Sequence, residues 1–140
     1  MNSFKKILVP LDGSKYSEKD LQKTTEMVRG FDSKIILIYV VEKSLPLNLL
    51  DRSEYLKINR NFGKKVLDKA ELNLSKQGIH SQAILKEGHI VNEIEKLAKK
   101  EKCNLIIVGN KGMGAISRLL LGSVSSKLVQ ASKCSVLIVK

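Results

Sequence analysis

The strongest constraint on the fold is that short, continuously apolar segments alternate with longer amphipathic ones. The segment 34–41 is rich in β-branched residues and almost continuously apolar, which is typical of a strand covered on both faces. Similar runs occur at 5–11, 104–108 and 135–139, and a more weakly alternating run at 79–86 is predicted to lie near the sheet edge. Segments of helix length separate these runs. Strands joined by helical crossovers predict a parallel sheet with helices on both faces, which is a doubly wound α/β domain.

The helical segments carry their own start and stop signals. Ser17 is predicted to cap the first helix, and Gly30 is predicted to end it. The second helix is predicted to run from near Ser53 to about Lys76, and the last one to open at Gly122. With neither a repeat nor a linker between these elements, the chain is predicted to form a single domain over residues 1–140.

Composition narrows the class of protein. The chain has 140 residues, of which 43% are apolar, and this content of apolar residues excludes an intrinsically disordered chain. The longest apolar stretch, 35–41, is far shorter than the ~18 residues that a membrane-spanning helix needs. We expect no signal peptide, and two cysteines cannot form a disulfide framework, so reduced thiols and a cytoplasmic location are predicted.

The net charge of +11 raises the question of nucleic-acid binding. However, the lysines are spread along the whole chain, and aromatic residues make up only 4% of it. A lysine-rich, solvated surface explains this pattern, so binding to nucleic acid is not favoured.

The long loop that begins at Gly109 is the strongest functional signal. Ligands of parallel sheets bind outside the carboxyl ends of the strands, and strand-to-helix loops usually have only about 2–6 residues. Gly109 and Gly112 let the main chain approach a ligand, and the helix that opens at Gly122 presents a positive dipole end. Ser123 and Ser125 add hydroxyl groups in that first turn. The loop is therefore predicted to bind phosphate, largely through main-chain amides.

Two familiar phosphate-binding motifs do not fit this loop. Gly109 and Gly114 have the spacing of the P-loop glycines, but Ala115 stands where that motif requires lysine. In the dinucleotide-binding motif, Ser117 replaces the third glycine, and no acidic residue follows Glu101. Phosphoryl transfer of the P-loop class and dinucleotide binding are therefore not expected.

The loop resembles that of the nucleotide-binding members of the universal stress protein family, which carry the pattern Gly-x2-Gly-x9-Gly-[Ser/Thr]. The resemblance covers the whole chain, because the segment 6–10 followed by Asp12 is similar to the family's opening strand and acidic residue. Tyr39 stands where histidine is more usual, and Ser135 where proline is common. The residues that match the loop pattern are Gly109, Gly112, Gly122 and Ser123.

The resemblance implies a five-stranded sheet of order 3-2-1-4-5, in which Asp12 and Gly109 border one crevice where the winding reverses. It implies that this crevice binds ATP, or AMP or ADP, with Mg²⁺ or Mn²⁺ carried by the phosphates. Asp12 would hydrogen-bond the adenosine and the Val40 main chain would meet the adenine edge, while Pro10 and Val108 would line the pocket. The residues that would hold the phosphates are Gly109, Gly112, Gly122, Ser123, Val124 and Ser125.

No catalytic set of residues accompanies the loop. His80 is predicted to be a solvated surface residue, and His89 to serve at a helix start. No second carboxylate is expected beside Asp12, which has an alternative interpretation as a turn residue before Gly13. No His/Cys cluster has metal-ligand spacing. We therefore expect no catalytic or metal-binding residues, and slow ATP hydrolysis at most.

The fifth strand predicts how the chain associates. Residues 136–139 are apolar and contain neither a charge nor a proline, and this strand is expected at a sheet edge. An unprotected edge invites pairing, so a homodimer through the fifth strand is predicted, and the family resemblance implies the same.

The resemblance implies an ATP-binding regulatory module of the stress response, with an unknown protein partner. Occupancy by ATP would order the loop between Gly109 and Gly122 and alter a partner surface. Two alternatives stay open at this stage: a nucleotide-free dimeric scaffold of the same fold, and a true ATPase or phosphotransferase.

Overall fold

The computed structural model describes residues 4–43, 49–110 and 122–140. Five strands form one parallel sheet in the order β3-β2-β1-β4-β5. The doubly wound α/β fold and the predicted strand order are therefore confirmed. The elements in chain order are β1 (Lys6–Pro10), α1 (Lys15–Val28), β2 (Lys34–Glu42), α2 (Leu49–Lys76), β3 (Ser81–Gly88), α3 (Ile90–Lys100), β4 (Leu105–Gly109), α4 (Ser123–Ala131) and β5 (Ser135–Val139).

The sheet is buried on both faces by two separate apolar clusters. Ile35 and Leu37 of β2 point to the cluster that α1 and α2 cover, whereas Ile36 and Ile38 point to the cluster that α3 and α4 cover. Successive side chains of a strand point to opposite faces, so a strand between two such clusters must be apolar at every position. This explains the continuous apolar runs in the sequence.

Two helices begin earlier than the sequence signals indicate. Ser14, and not Ser17, caps α1, because the Ser14 side chain accepts a hydrogen bond from the Ser17 amide at 3.1 Å. The preceding turn redirects the chain at Gly13, whose φ of +82° favours glycine. Helix α2 begins at Leu49 instead of near Ser53. The Arg52 guanidinium donates to the Lys43 carbonyl oxygen at 2.6 Å and ties this first turn to the end of β2.

Helix α2 packs directly against β2 through a glycine. A Cβ atom on Gly63 would overlap the Tyr39 ring and would lie 2.9 Å from Cδ1 of Leu85. The Tyr39 hydroxyl donates to Oδ1 of Asn59, and its ring meets Phe62 edge-on with 6.0 Å between the ring centroids. Burial raises the pKa of Tyr39 to about 12, so it stays a neutral donor. This contact fixes the distance between α2 and the sheet.

Although α2 has 28 residues, its sequence is rich in charged residues. Among the helices of the described residues, none is both long and apolar enough to cross a membrane.

Candidate functional site

The predicted site residues within the described ranges lie at the carboxyl edge of the sheet or in the helix that follows β4. Pro10 ends β1 and pairs with Ile38, and Val40 lies two residues further along β2. Gly109 ends β4 and pairs with Val139, while Val108 beside it is buried in the cluster under α3 and α4. Gly112 lies outside the described residues. Doubly wound sheets bind their ligands outside the carboxyl ends of the strands, which is where these residues lie.

Helix α4 begins directly beside the end of β4. The Gly122 amide donates to the Asn110 carbonyl oxygen at 2.9 Å, which holds the start of the helix against the residue after Gly109. Ser125 is 1% exposed, and its hydroxyl donates back to the Gly122 carbonyl at 3.0 Å. Ser123 is exposed. The Ser125 hydroxyl therefore stabilises the helix start, whereas the Ser123 hydroxyl faces solvent.

Within the part of the chain that the structure describes, no side chain caps the main-chain donors in the first turn of α4. Gly122 occupies the N-cap position and has no side chain with which to accept from them, and the first turn contains no acidic residue. The amides of Ser123, Val124 and Ser125 precede the first residue that can bond within the helix. Together with the helix dipole, these amides favour an anion.

A second carboxylate borders the crevice, contrary to the expectation that Asp12 stands there alone. The Asp20 carboxylate of α1 occupies the space over Gly109 that a Cβ atom would take. Asp12 lies close enough to Asp20 to raise its pKa. The sequence signal for Asp20 is its spacing from Ser17 and Thr24, two buried residues of the same helix, which puts it on the face that turns towards the sheet.

The turn before α1 holds Asp12 in place. Oδ1 of Asp12 accepts a hydrogen bond from the Ser14 amide at 2.9 Å, across the left-handed Gly13. The interpretation of Asp12 as a turn residue is thereby confirmed, and its role towards a ligand stays a prediction. The two histidines are placed as expected, since His80 is exposed and His89 is the N-cap residue of α3.

Asp20 has an unusual ionisation. Burial, followed by the charge of Asp12, raises the pKa of its carboxyl group to about 6, while Lys23 and Lys19 act in the opposite direction. Lys23 is drawn away towards β5, because its ammonium donates to the Lys140 carbonyl at 2.6 Å. Within the described residues, no hydrogen bond reaches the Asp20 carboxylate. The Asp20 carboxyl group therefore changes its charge in mildly acidic solution, near pH 6.

The parallel sheet of order 3-2-1-4-5, with helices on both faces and the start of α4 at its switch point, places the chain in the class of doubly wound α/β proteins. The sequence profile described as the universal stress protein family matches residues 3–140 of the chain. The chain therefore belongs to the universal stress protein family.

Known proteins resemble the chain over nearly its whole length. A universal stress protein of Methanocaldococcus jannaschii is 32% identical to it, and the match covers 99% of this chain and 84% of that protein. The solved structure of the universal stress protein UspA from Lactobacillus plantarum superposes with a TM-score of 0.88 at 21% identity, covering 98% of both chains. A universal stress protein solved in complex with cAMP has a TM-score of 0.75 at 25% identity, covering 99% of this chain and 98% of that chain.

Proposed function

We propose that this chain binds adenine nucleotides, ATP foremost, at the carboxyl edge of its sheet. The observation that carries the proposal is the first turn of α4, where the amides of Ser123, Val124 and Ser125 have no hydrogen-bond acceptor among the described residues. The Gly122 amide, which donates to the Asn110 carbonyl oxygen, holds this turn beside the end of β4. These donors suit phosphate oxygens. The Val40 main chain and Asp12, at the ends of the neighbouring strands, would take the adenosine part, and Pro10 and Val108 would line its pocket.

The relative that was solved with cAMP supports an adenine-bearing ligand, because it shares this fold and a quarter of its residues. ATP, ADP and AMP all present phosphate oxygens to a helix start, and Mg²⁺ or Mn²⁺ would enter on the phosphates. We propose that the bound nucleotide regulates an interaction with a protein partner in the cytoplasm during stress, and that hydrolysis is slow at most.

Proline at position 123 tests the site, because it removes one amide and leaves the helix intact. Ser123 is the first residue of α4, where proline is well tolerated, and Gly122 before it is extended, with φ −62° and ψ 162°. Losing one charge-assisted hydrogen bond of about 1.5 kcal/mol predicts that Ser123→Pro binds ATP roughly tenfold more weakly. Titration calorimetry with ATP and with adenosine measures the effect, and adenosine affinity is expected to stay the same.

Ser123→Ala is the matched control, since it removes the hydroxyl and keeps the amide. We expect it to bind ATP more tightly than Ser123→Pro. Equal ATP affinity in the wild type and in Ser123→Pro would overturn the proposed use of this amide. If the wild-type protein binds no adenine nucleotide, the scaffold alternative holds. Sustained release of phosphate from ATP would establish the ATPase alternative.

We also propose that the chain forms a homodimer through β5. This strand lies at the edge of the sheet, and Val136, Leu137 and Ile138 are only partly buried. An apolar edge strand with unpaired main-chain groups pairs readily with a second copy. Light scattering is expected to give twice the chain mass of 15.6 kDa, and a mass equal to a single chain would contradict the proposal.

A further inference from the structure

We propose that Asp20 couples the binding of nucleotide phosphates to the uptake of a proton, so that the site holds ATP more tightly in mildly acidic solution than at neutral pH. The inference rests on the proposed function. It adds a residue and a form of regulation that the family's loop pattern does not contain.

The position of Asp20 is the first support. Its Oδ2 atom fills the space that a side chain on Gly109 would occupy, so a carboxylate and not an apolar group covers the last residue of β4. From Gly109 the chain continues to Asn110, whose carbonyl oxygen holds the Gly122 amide at 2.9 Å. Two contacts therefore connect the Asp20 carboxylate with the start of α4. The first is its contact with Gly109, and the second is the hydrogen bond between Gly122 and Asn110.

The surrounding charges are the second support. From the end of β1, Asp12 faces Asp20 with a like charge, and from α1 itself Lys19 and Lys23 face it with opposite charges. Lys23 is also held by the Lys140 carbonyl at the end of β5. Burial and Asp12 outweigh the two lysines, which brings the pKa of Asp20 to about 6. Near neutral pH, the carboxylate is therefore mostly charged and within easy reach of protonation.

Phosphates would shift this equilibrium further. A negative phosphate chain close to the carboxylate favours its protonated form, and by linkage protonation must then favour phosphate binding to the same degree. ATP affinity should consequently be highest below pH 6, where Asp20 is neutral, and should fall as the pH rises through the pKa. For one proton, the fall cannot exceed about tenfold per pH unit.

Titration of ATP affinity against pH tests the proposal, using the full chain in EDTA from pH 5.5 to 8. The phosphates of ATP also titrate in this range, so the informative quantity is the ratio of wild-type to Asp20→Asn affinity at each pH. We expect Asp20→Asn to match the wild type near pH 5.5 and to bind ATP about tenfold more tightly at pH 8. A unit charge near a charged ligand changes its affinity by a factor of about ten in a partly buried site.

Three controls isolate the effect. Asp68→Asn removes a carboxylate on the exposed face of α2 and should keep the wild-type pH profile. Adenosine, which carries no phosphate, should bind the wild type with less than twofold change over the same range. Asp20→Ala repeats the loss of charge with a different side chain and should behave as Asp20→Asn does.

The outcomes separate this inference from the proposed function. If wild type and Asp20→Asn bind ATP with parallel pH profiles, Asp20 takes up no proton on binding, and the inference is wrong while nucleotide binding stands. If neither protein binds ATP at any pH, the proposed function fails and the inference fails with it. A ratio that grows with pH for ATP but not for adenosine supports the coupling.

Discussion

Replacing Leu128 by alanine is expected to lower the free energy of unfolding by about 3 kcal/mol, which is a typical cost of a large-to-small change in a packed core. Leu128 is 0% exposed and is one of only two buried residues of α4, a helix of nine residues. Its side chain joins the cluster that fixes α4 against the sheet. Because the first turn of this helix is the proposed phosphate site, ATP affinity is expected to fall as well. Chemical denaturation and calorimetry measure the two effects.

The neighbouring residue provides the control for this experiment. Val129 is 50% exposed, so Val129→Ala should change the free energy of unfolding by no more than about 0.5 kcal/mol and should leave ATP affinity unchanged. Equal stability of the Leu128→Ala and Val129→Ala proteins would contradict the view that Leu128 anchors α4. A stability loss without any change in ATP affinity would show that the first turn keeps its position independently of this anchor.

Replacing Gly63 by alanine is expected to lower the free energy of unfolding by about 2 kcal/mol, although alanine gains about 1 kcal/mol in intrinsic helix propensity. The added methyl group would overlap the Tyr39 ring and crowd Leu85. The ring cannot move aside easily, since it is 6% exposed, bonded to Asn59 and packed against Phe62. Either the helix shifts outward or the ring leaves its place, and both weaken packing. The midpoint and slope of urea denaturation give the measurement.

Lys64→Ala is the control on the same helix, because Lys64 is exposed and alanine suits a helix. This variant should be as stable as the wild type within about 0.5 kcal/mol. A Gly63→Ala protein that is more stable than the wild type would mean that α2 can move away from β2 at little cost.

The sequence predicts the fold well, because its main signal is physical and local. A parallel strand between two helical layers must be apolar on both faces, and the segment 34–41 is almost continuously so. The start of α4 at Gly122 is also predicted correctly, because a glycine followed by a helical stripe with Leu128 marks a helix boundary. Both signals lie within a few neighbouring residues.

The parts that the sequence does not predict depend on residues that are far apart along the chain. Nothing near Asp20 in the sequence indicates that α1 packs over Gly109, which lies 89 positions later. Gly63 reads as a weak point of a helix until the Tyr39 ring is placed against it. Only the tertiary arrangement shows why these residues are present.

A substitution of Asp12 affects both the turn before α1 and any ligand that Asp12 contacts. One carboxylate oxygen of Asp12 already accepts from the Ser14 amide, and Ser14 in turn caps α1. An alanine at position 12 would loosen the helix that carries Asp20 and would also remove any bond to adenosine, so its phenotype would have two causes. Asparagine retains an acceptor for the turn while removing the charge. Comparing these two substitutions therefore separates the architecture of the turn from recognition of the ligand.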